Sequence, residues 1–400
     1  MQVRSFFVKM WLLTVLSLFS CCASATGLEP VPDFLQCKYW GDAPVDGPKA
    51  FEHFSMKVFR DFRTSGDLLE RDANEWNIPS CVFQDGNPVV GALEGGFQRL
   101  FTTGWDWTES LTYVEQFKKN YPEAGFAAIA EAAYWRIYAW NARGYGFIST
   151  VTPEGLKLFT ERLEKAEKVL IDTKPYATDF PNWYAELITV QSALNRPYTD
   201  QEQTFHEGAQ KYPTYYPIYF AMVQFHLPKW GGNWVLEDNL IAWSVENSKV
   251  SNQNAVYARL YSYVFEHLLP EENFFKDTLV SWPKMKLGYE DMMIQYPKSK
   301  YNLNRFAMFA CKAEDKETFL NLRHNIGENT MLEAWAQNPF QESTPNIKIV
   351  TPPQVRLDPR LGRTSNIRLN QIYQQPIVVT LPPEGQKSLT LCDSKYGYSK

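Results

Sequence analysis

From about Pro48 to Trp335 apolar residues recur at helical spacing. Leu156, Phe159, Leu163, Ala166 and Leu170 advance by three and four residues, the rhythm that lines one face of a helix. Thr152-Pro153-Glu154 opens that helix with an N-cap hydroxyl and a proline in the first turn, where its missing N–H costs nothing. Leu111, Val114 and Phe117 form a second stripe, entered at Asp106 with Glu109 three residues on. Thr199 and Glu202 predict a capping box ahead of Phe205 and Ala209. Ala255, Val256, Leu260, Tyr263, Val264 and His267 continue the pattern, and no run alternates with period two before residue 345. The body is predicted to be all-helical.

The pattern also repeats on a longer scale. Helical stretches end at Tyr121-Pro122, Tyr212-Pro213 and Tyr296-Pro297, with a variant at Phe180-Pro181, and a new helix is predicted at once after each. Proline breaks a helix and pushes the residue before it out of the α region, so each junction reads as a helix–turn–helix corner. Pro181 and Pro213 lie 32 residues apart, close to the ~34-residue tetratricopeptide period. The 84 residues from Pro213 to Pro297 need an insertion or an irregular unit. Asn302 to Phe319 has the small-residue helix, acidic turn and next helix of such a repeat. The expected fold is all-α: a degenerate tetratricopeptide-like array of antiparallel helix pairs over residues 101–340, after a loop-rich helical segment at 26–100.

Beyond about Gln341 the character changes. The last 60 residues hold seven Pro, and eight Lys and Arg against four Asp and Glu, so they carry +4 against an acidic body. Residues 341–400 read as an extended proline-rich arm, with short β-prone pieces at Ile347–Val350, Ile377–Thr380 and Leu389–Leu391. Such an arm packs back on the body or docks a partner by strand addition.

At the other end, Arg4 and Lys9 precede an apolar run from Met10 to Phe19, and Ala23-Ser24-Ala25 supplies small residues for cleavage. This is the pattern of a secretory signal peptide at residues 1–25, cleaved after Ala25, with export to the bacterial periplasm as the expectation. The alternatives are a buried N-terminal helix, or lipid attachment at Cys21, for which the bulky Phe19 fits poorly. No stretch reaches the ~20 apolar residues of a transmembrane helix. Four cysteines would remain after cleavage, Cys37, Cys81, Cys311 and Cys392, in a compartment that permits disulfides. Three full pairings are possible. Cys37 with Cys81 is the favoured pair, as a staple on the loop-rich stretch, and Cys311 reads as a plain buried thiol among Phe306, Ala307 and Ala310.

Composition narrows the function by exclusion. The 400 residues are 44% hydrophobic and 21% charged with a net charge of -5, or -7 once the signal is removed. That excludes a disordered chain and lacks the basic stripe of a nucleic-acid binder. The five His are dispersed, with no HExxH, no metal-ligand spacing, no phosphate loop and no Gly-x-Ser-x-Gly elbow, so no metal or cofactor is expected. Gly95-Gly96 and Gly231-Gly232 read as helix-end glycines.

The unusual feature is aromatic content: 13 Trp, 22 Tyr and 26 Phe. Most should fill the core of a thin helical array. A sugar-binding cleft is the sharper reading, because exported helical barrels that act on polysaccharides stack aromatic faces on sugars. A glycosidase also needs two carboxylates across the cleft. Asp106, Glu131 and Glu186 lie nearest the aromatic clusters, though Glu131 among alanines suits a capping or exposed role.

Leu227-Pro228-Lys229-Trp230-Gly231-Gly232, after Tyr212-Pro213 and Tyr219-Phe220-Ala221, carries a resemblance. So do Gly288-Tyr289-Glu290-Asp291, Tyr296-Pro297, Asn302-Leu303-Asn304 and Phe309-Ala310-Cys311. Over roughly residues 100–340 the chain resembles the bacterial domain-of-unknown-function 4034 family. The resemblance implies a helical, repeat-like domain and brings no assigned chemistry. The leading expectation is a non-catalytic scaffold that holds a protein or peptide on the array, with Trp105, Trp107, Trp230, Gly231, Gly232 and Trp234 as candidate contacts. The alternative is a carbohydrate-active enzyme of α/α-barrel type. A closed circle of helix pairs around a central acidic, Trp-lined cleft would favour the enzyme, an open superhelix with its carboxylates scattered on outer faces the scaffold.

Overall fold

The computed structural model describes residues 45–64, 66–79, 81–102, 106–144, 146, 148–248, 253–339 and 383–398. Sixteen α-helices and no strand are found among them: α1 (Gly47–Thr64), α2 (Gly66–Trp76), α3 (Ala92–Thr102), α4 (Trp107–Asn120), α5 (Gly125–Arg143), α6 (Pro153–Ala177), α7 (Asn182–Ala193), α8 (Tyr198–Lys211), α9 (Tyr216–His226), α10 (Trp234–Asn247), α11 (Gln253–Glu266), α12 (Phe274–Asp277), α13 (Trp282–Gln295), α14 (Lys300–Lys312), α15 (Lys316–Ile326) and α16 (Pro383–Tyr396). The all-helical expectation holds. The signal segment, Cys21, Cys37, Trp105 and the β-prone pieces at 347–350 and 377–380 lie outside the described residues.

The three Tyr-Pro corners are one structure used three times. Tyr121, Tyr212 and Tyr296 close their helices with φ near -130° and ψ between 61° and 67°. Each donates its N–H to the carbonyl four residues back, on Phe117, Gly208 and Met292. Each carbonyl then accepts from the N–H three residues ahead, on Ala124, Tyr215 and Ser299. Proline fits the second position of that turn because its φ is already set. Phe180-Pro181 departs from the pattern: α6 ends at Ala177, and Pro181 sits in helical conformation as the N-cap of α7.

Helix starts follow side-chain chemistry where a free side chain is in place. Thr152 accepts from Gly155 N–H at 3.0 Å and Asp106 from Thr108 N–H at 2.7 Å. The Thr199 capping box does not form, because α8 begins one residue earlier behind Pro197 and Thr199 falls inside the first turn. The α6 stripe is displaced as well: Phe159, Leu163, Ala166 and Leu170 are buried, while Leu156 stays exposed.

Helices alternate between one buried face and burial nearly all round. Amphipathic α6, α8 and α15 cover α5, α7 and α14, whose surfaces are apolar on almost every side. The succession α1, α3, α5, α7, α9, α11, α13 and α14 packs in sequence, and α14 then meets the start of α1. There Asp46 accepts from Ser299 Oγ at 2.7 Å and from Tyr301 N–H at 2.9 Å, joining chain positions more than 250 residues apart. Lys49 reaches Glu333 at 3.1 Å. The array closes on itself.

Gly95 and Gly96 are not helix-end glycines. They lie inside α3 where it crosses α1, and a Cβ there would meet Ser55 Oγ at 2.3 Å and Val58 Cβ at 2.4 Å. Absent side chains let the two helices approach.

The C-terminal end corrects two further expectations. Leu389–Leu391 is helical, within α16. Cys311 is no free thiol: it is bonded to Cys392 across 81 residues, and Arg323 beside it holds Asp393 through two hydrogen bonds at 2.8 and 2.9 Å. Cys81 is also disulfide-bonded. The Cys311–Cys392 bond closes a long loop, worth about 4 kcal/mol on a chain-entropy account. Cys392→Ser is therefore expected to lower the urea midpoint and to raise amide exchange across 383–398. An unchanged midpoint would place the stability of α16 in the Arg323–Asp393 pair.

Candidate functional site

Closure of the helices leaves a partly open cavity of about 470 Å³ between them. Its base is the turn Phe83–Val89, pinned by a short antiparallel bridge between Val82 and Pro88. Phe83 N–H donates to Asn87 O at 2.8 Å, and Asp85 caps the turn by accepting from Asn87 N–H and Nδ2 at 2.9 Å each. Gly86 has φ +86°, and a Cβ there would collide with Tyr296 and Arg259. The carbonyl of Asp85 points inward, accepting from Arg259 Nη2 on α11 and from Asn302 Nδ2 on α14.

The walls are aromatic. Phe51 comes from α1, Phe220 from α9, Tyr263 from α11 and Tyr289 from α13. Phe220 and Tyr263 stack with centroids 4.5 Å apart and planes 4° from parallel, and Tyr263 donates to Gln224 at 2.8 Å. Ser262 and the Tyr289 hydroxyl share a hydrogen bond of 2.7 Å.

Three carboxyl groups line the cavity, on Asp85, Glu94 and Glu266, with two guanidinium groups, on Arg259 and Arg305. Glu266 receives Arg305 Nη2 at 2.8 Å. Arg305 is in turn fixed by the carbonyls of Ala334 and Ala336. Burial nevertheless pushes the Glu266 carboxyl up to about 7, against the pull of Arg305. Glu94 lies deep within the ring, yet its side chain keeps 47% of its accessible surface, which faces the cavity. Its nearest cation, Arg136 at 3.9 Å, is committed to Glu186 at 2.6 Å. Burial, and the Glu186 carboxylate, raise the Glu94 carboxyl against the pull of Arg136. His267 hydrogen-bonds Tyr263 O at 2.8 Å and is held neutral, lowered to about 4 by burial. This set can donate and accept hydrogen bonds at carboxyl groups in a low-dielectric space. Among the described residues no group of three His, Cys, Asp or Glu is placed to hold a metal ion.

None of the described candidate contacts or carboxylates, Trp107, Trp230, Gly231, Gly232, Trp234, Asp106, Glu131 and Glu186, lines this cavity, whereas Phe220, Tyr289 and Asn302, which carry the family resemblance, do. Trp107 is packed at the start of α4, stacked on Tyr138 at 4.3 Å. Trp230, Gly231 and Gly232 do share the loop between α9 and α10, and Trp234 opens α10. Gly231 takes the left-handed conformation, φ +96°, after a short 3-10 turn, and Gly232 lies so close to the His226 carbonyl that no Cβ fits. Trp230 is 42% exposed and touches Trp140 edge-on at 6.1 Å. Beside it Val235 and Leu236 are 59% and 48% exposed. Asp106 is an N-cap, Glu131 pairs with Lys118, and Glu186 is buried behind Glu94. Glu94, Glu266 and Arg305, which line the cavity, carry no local signature in the sequence.

Comparison with protein-family models, with characterised proteins and with solved structures gives no match.

Outside the cavity, Glu237 in the first turn of α10 is buried with neither carboxyl oxygen hydrogen-bonded. Burial, with Asp238 next to it, raises its carboxyl from 4.5 to about 8. The folded chain thus keeps a proton that the unfolded chain releases, so this contribution is full below pH 4.5 and is lost as pH climbs toward 8. Glu237→Gln stays neutral throughout. It is expected to match the parent at pH 5 and to exceed it at pH 8 by on the order of 3 kcal/mol, measured from urea midpoints. Parallel pH profiles for the two proteins would mean that Glu237 is ionised and hydrated.

Proposed function

We propose that this chain is an exported carbohydrate-binding protein whose central cavity takes a sugar-sized, polyhydroxylated ligand. The observation that carries the reading is the cavity itself, which opens partly to solvent. Its volume falls within the ~300–1,000 Å³ typical of small-molecule sites, and its lining combines aromatic surface with the cavity-facing carboxyl of Glu94. A closed circuit with carboxyl groups inside is the arrangement that favours the carbohydrate alternative, and an inner face reduced to a cavity suits a small molecule better than a folded partner. The walls are Phe and Tyr in place of the expected Trp. Export is supported by the Cys311–Cys392 disulfide and by the N-terminal signal pattern. No described helix is long and apolar enough to cross a membrane. Tetratricopeptide-like repetition, the proline-rich arm and kinship with the 4034 family belong to the same reading, supported by the three matching Tyr-Pro corners.

A second reading, the scaffold, is favoured by the exposed apolar side chains of Trp230, Val235 and Leu236. A protein or peptide partner would dock there, outside the ring, without involving the cavity.

Titration against a panel of mono- and disaccharides tests the first reading. A ligand at 100-fold its Kd stabilises the fold by about 2.7 kcal/mol, a rise in melting temperature of several degrees. Phe220→Ala is expected to weaken binding at least tenfold with the fold retained. No stabilisation by any sugar, together with a partner lost on Trp230→Ala, would replace the cavity reading with the scaffold.

A further inference from the structure

The charges around the cavity do not balance, and the imbalance falls on one residue. Arg305 is neutralised by Glu266 at 2.8 Å. Arg259 gives its donors to the Asp85 carbonyl and to Asn87 Oδ1, lies 4.6 Å over the Tyr216 ring, and has the Asp85 carboxylate in its field. Asp85 itself is held by Asn87. What remains is Glu94: the one carboxylate or cationic side chain of the lining with no hydrogen bond among the described residues. Its one cation, Arg136, is shared: Nε binds Glu186 at 2.6 Å and Nη2 stands 3.9 Å from Glu94, so a single guanidinium serves two carboxylates. Among the described residues the lining supplies no lysine to balance the second of them.

Resting on the carbohydrate reading above, we propose that Glu94 anchors a primary ammonium group of the ligand, so that the site takes amino sugars with a free amine. The ammonium supplies the missing positive charge and donates hydrogen bonds that nothing in the chain provides. Charge-assisted bonds of this kind are about twice as strong as neutral ones. Phe51, Phe220 and Tyr263 add aromatic surface that favours a cation over a second anion. Ring hydroxyls are then left to Gln98, Gln224 and Asn302. A neutral sugar could also donate hydroxyls to Glu94, but would leave its charge uncompensated.

The test is calorimetric titration of the full chain with glucosamine, glucose and N-acetylglucosamine at pH 7, in the parent and in Glu94→Gln. Glutamine keeps the shape and can still bond to hydroxyls; the residue it replaces makes no hydrogen bond and one long ion pair, to Arg136 at 3.9 Å, so the melting temperature should change little. Glucosamine is expected to bind at least ten times more tightly than glucose or the acetylated sugar, and Glu94→Gln to bring all three within about twofold. Equal affinities in the parent would overturn the ammonium anchor and leave the cavity reading standing. A glucosamine preference that survives Glu94→Gln would overturn Glu94 as its source. If none of the three binds, the anchor falls together with the sugar reading on which it rests.

Discussion

The architecture depends on one buried contact, the carbonyl of Asp85 between Arg259 and Asn302. These residues come from a turn near the beginning of the described chain and from two helices near its end. It ties that turn to α11 and α14 at the same junction that Asp46 and Lys49 bridge. A buried guanidinium costs several kcal/mol unless its donors are taken. Two oxygens of the Phe83–Val89 turn accept from Nη1 and Nη2, while Nε has no hydrogen bond among the described residues, so the turn cannot drift without orphaning more of the arginine. Gly86 is required for the same reason: its left-handed backbone aims the Asp85 carbonyl, and the space a side chain would need is filled by Tyr296 and Arg259. Tyr296 is also the cap of the third Tyr-Pro corner, so the local rule that ends α13 supplies one wall of the closure.

What could be seen in the sequence is what neighbouring residues decide among themselves. Helix periodicity, the N-caps at Asp106 and Thr152, and the Tyr-Pro corners all rest on interactions spanning at most four residues. The corners recur with nearly the same dihedral angles because proline's φ and the steric demand on the preceding residue are independent of context. Thr199 failed as a cap because Pro197, two residues earlier, was already a better helix entry. Leu156 failed as a core residue because in the first turn of α6 it is Gly155 that faces α5, against the Ala142 carbonyl. Both errors are shifts of a residue or a turn, made inside the right element.

What stayed hidden was decided by residues far apart. Nothing near Cys311 marks it as half of a disulfide, since its partner lies on a helix 81 residues away and its own flanks are as apolar as those of a buried thiol. Gly95 and Gly96 look like a helix terminus until α1 is laid across them. Tryptophan drew attention to the outer layer, where Trp107 and Trp230 meet α5, and away from the cavity, whose aromatic walls are Phe and Tyr. The carboxyl groups singled out as neighbours of tryptophan were accordingly those with structural duties, capping α4 or pairing with Lys118 and Arg136.

The distinction between structural and available carboxyl groups can be carried one step further. Asp106, Glu131, Glu186 and Glu266 each have a donor or a cation close by, so their charge contributes to holding two elements together. Glu237 has no donor and is kept neutral by burial, a cost that local packing of α10 must offset. Glu94 fits neither description. It has no hydrogen-bond donor among the described residues, yet it is not sealed off: its surface opens on the cavity. Its one cation in the fold is Arg136 at 3.9 Å, already bound to Glu186. Titratable groups that face a cavity without a hydrogen-bond partner are candidates for binding and catalysis. The physical case for a ligand therefore rests less on the shape of the cavity than on this single side chain, whose charge the protein answers only with a shared arginine.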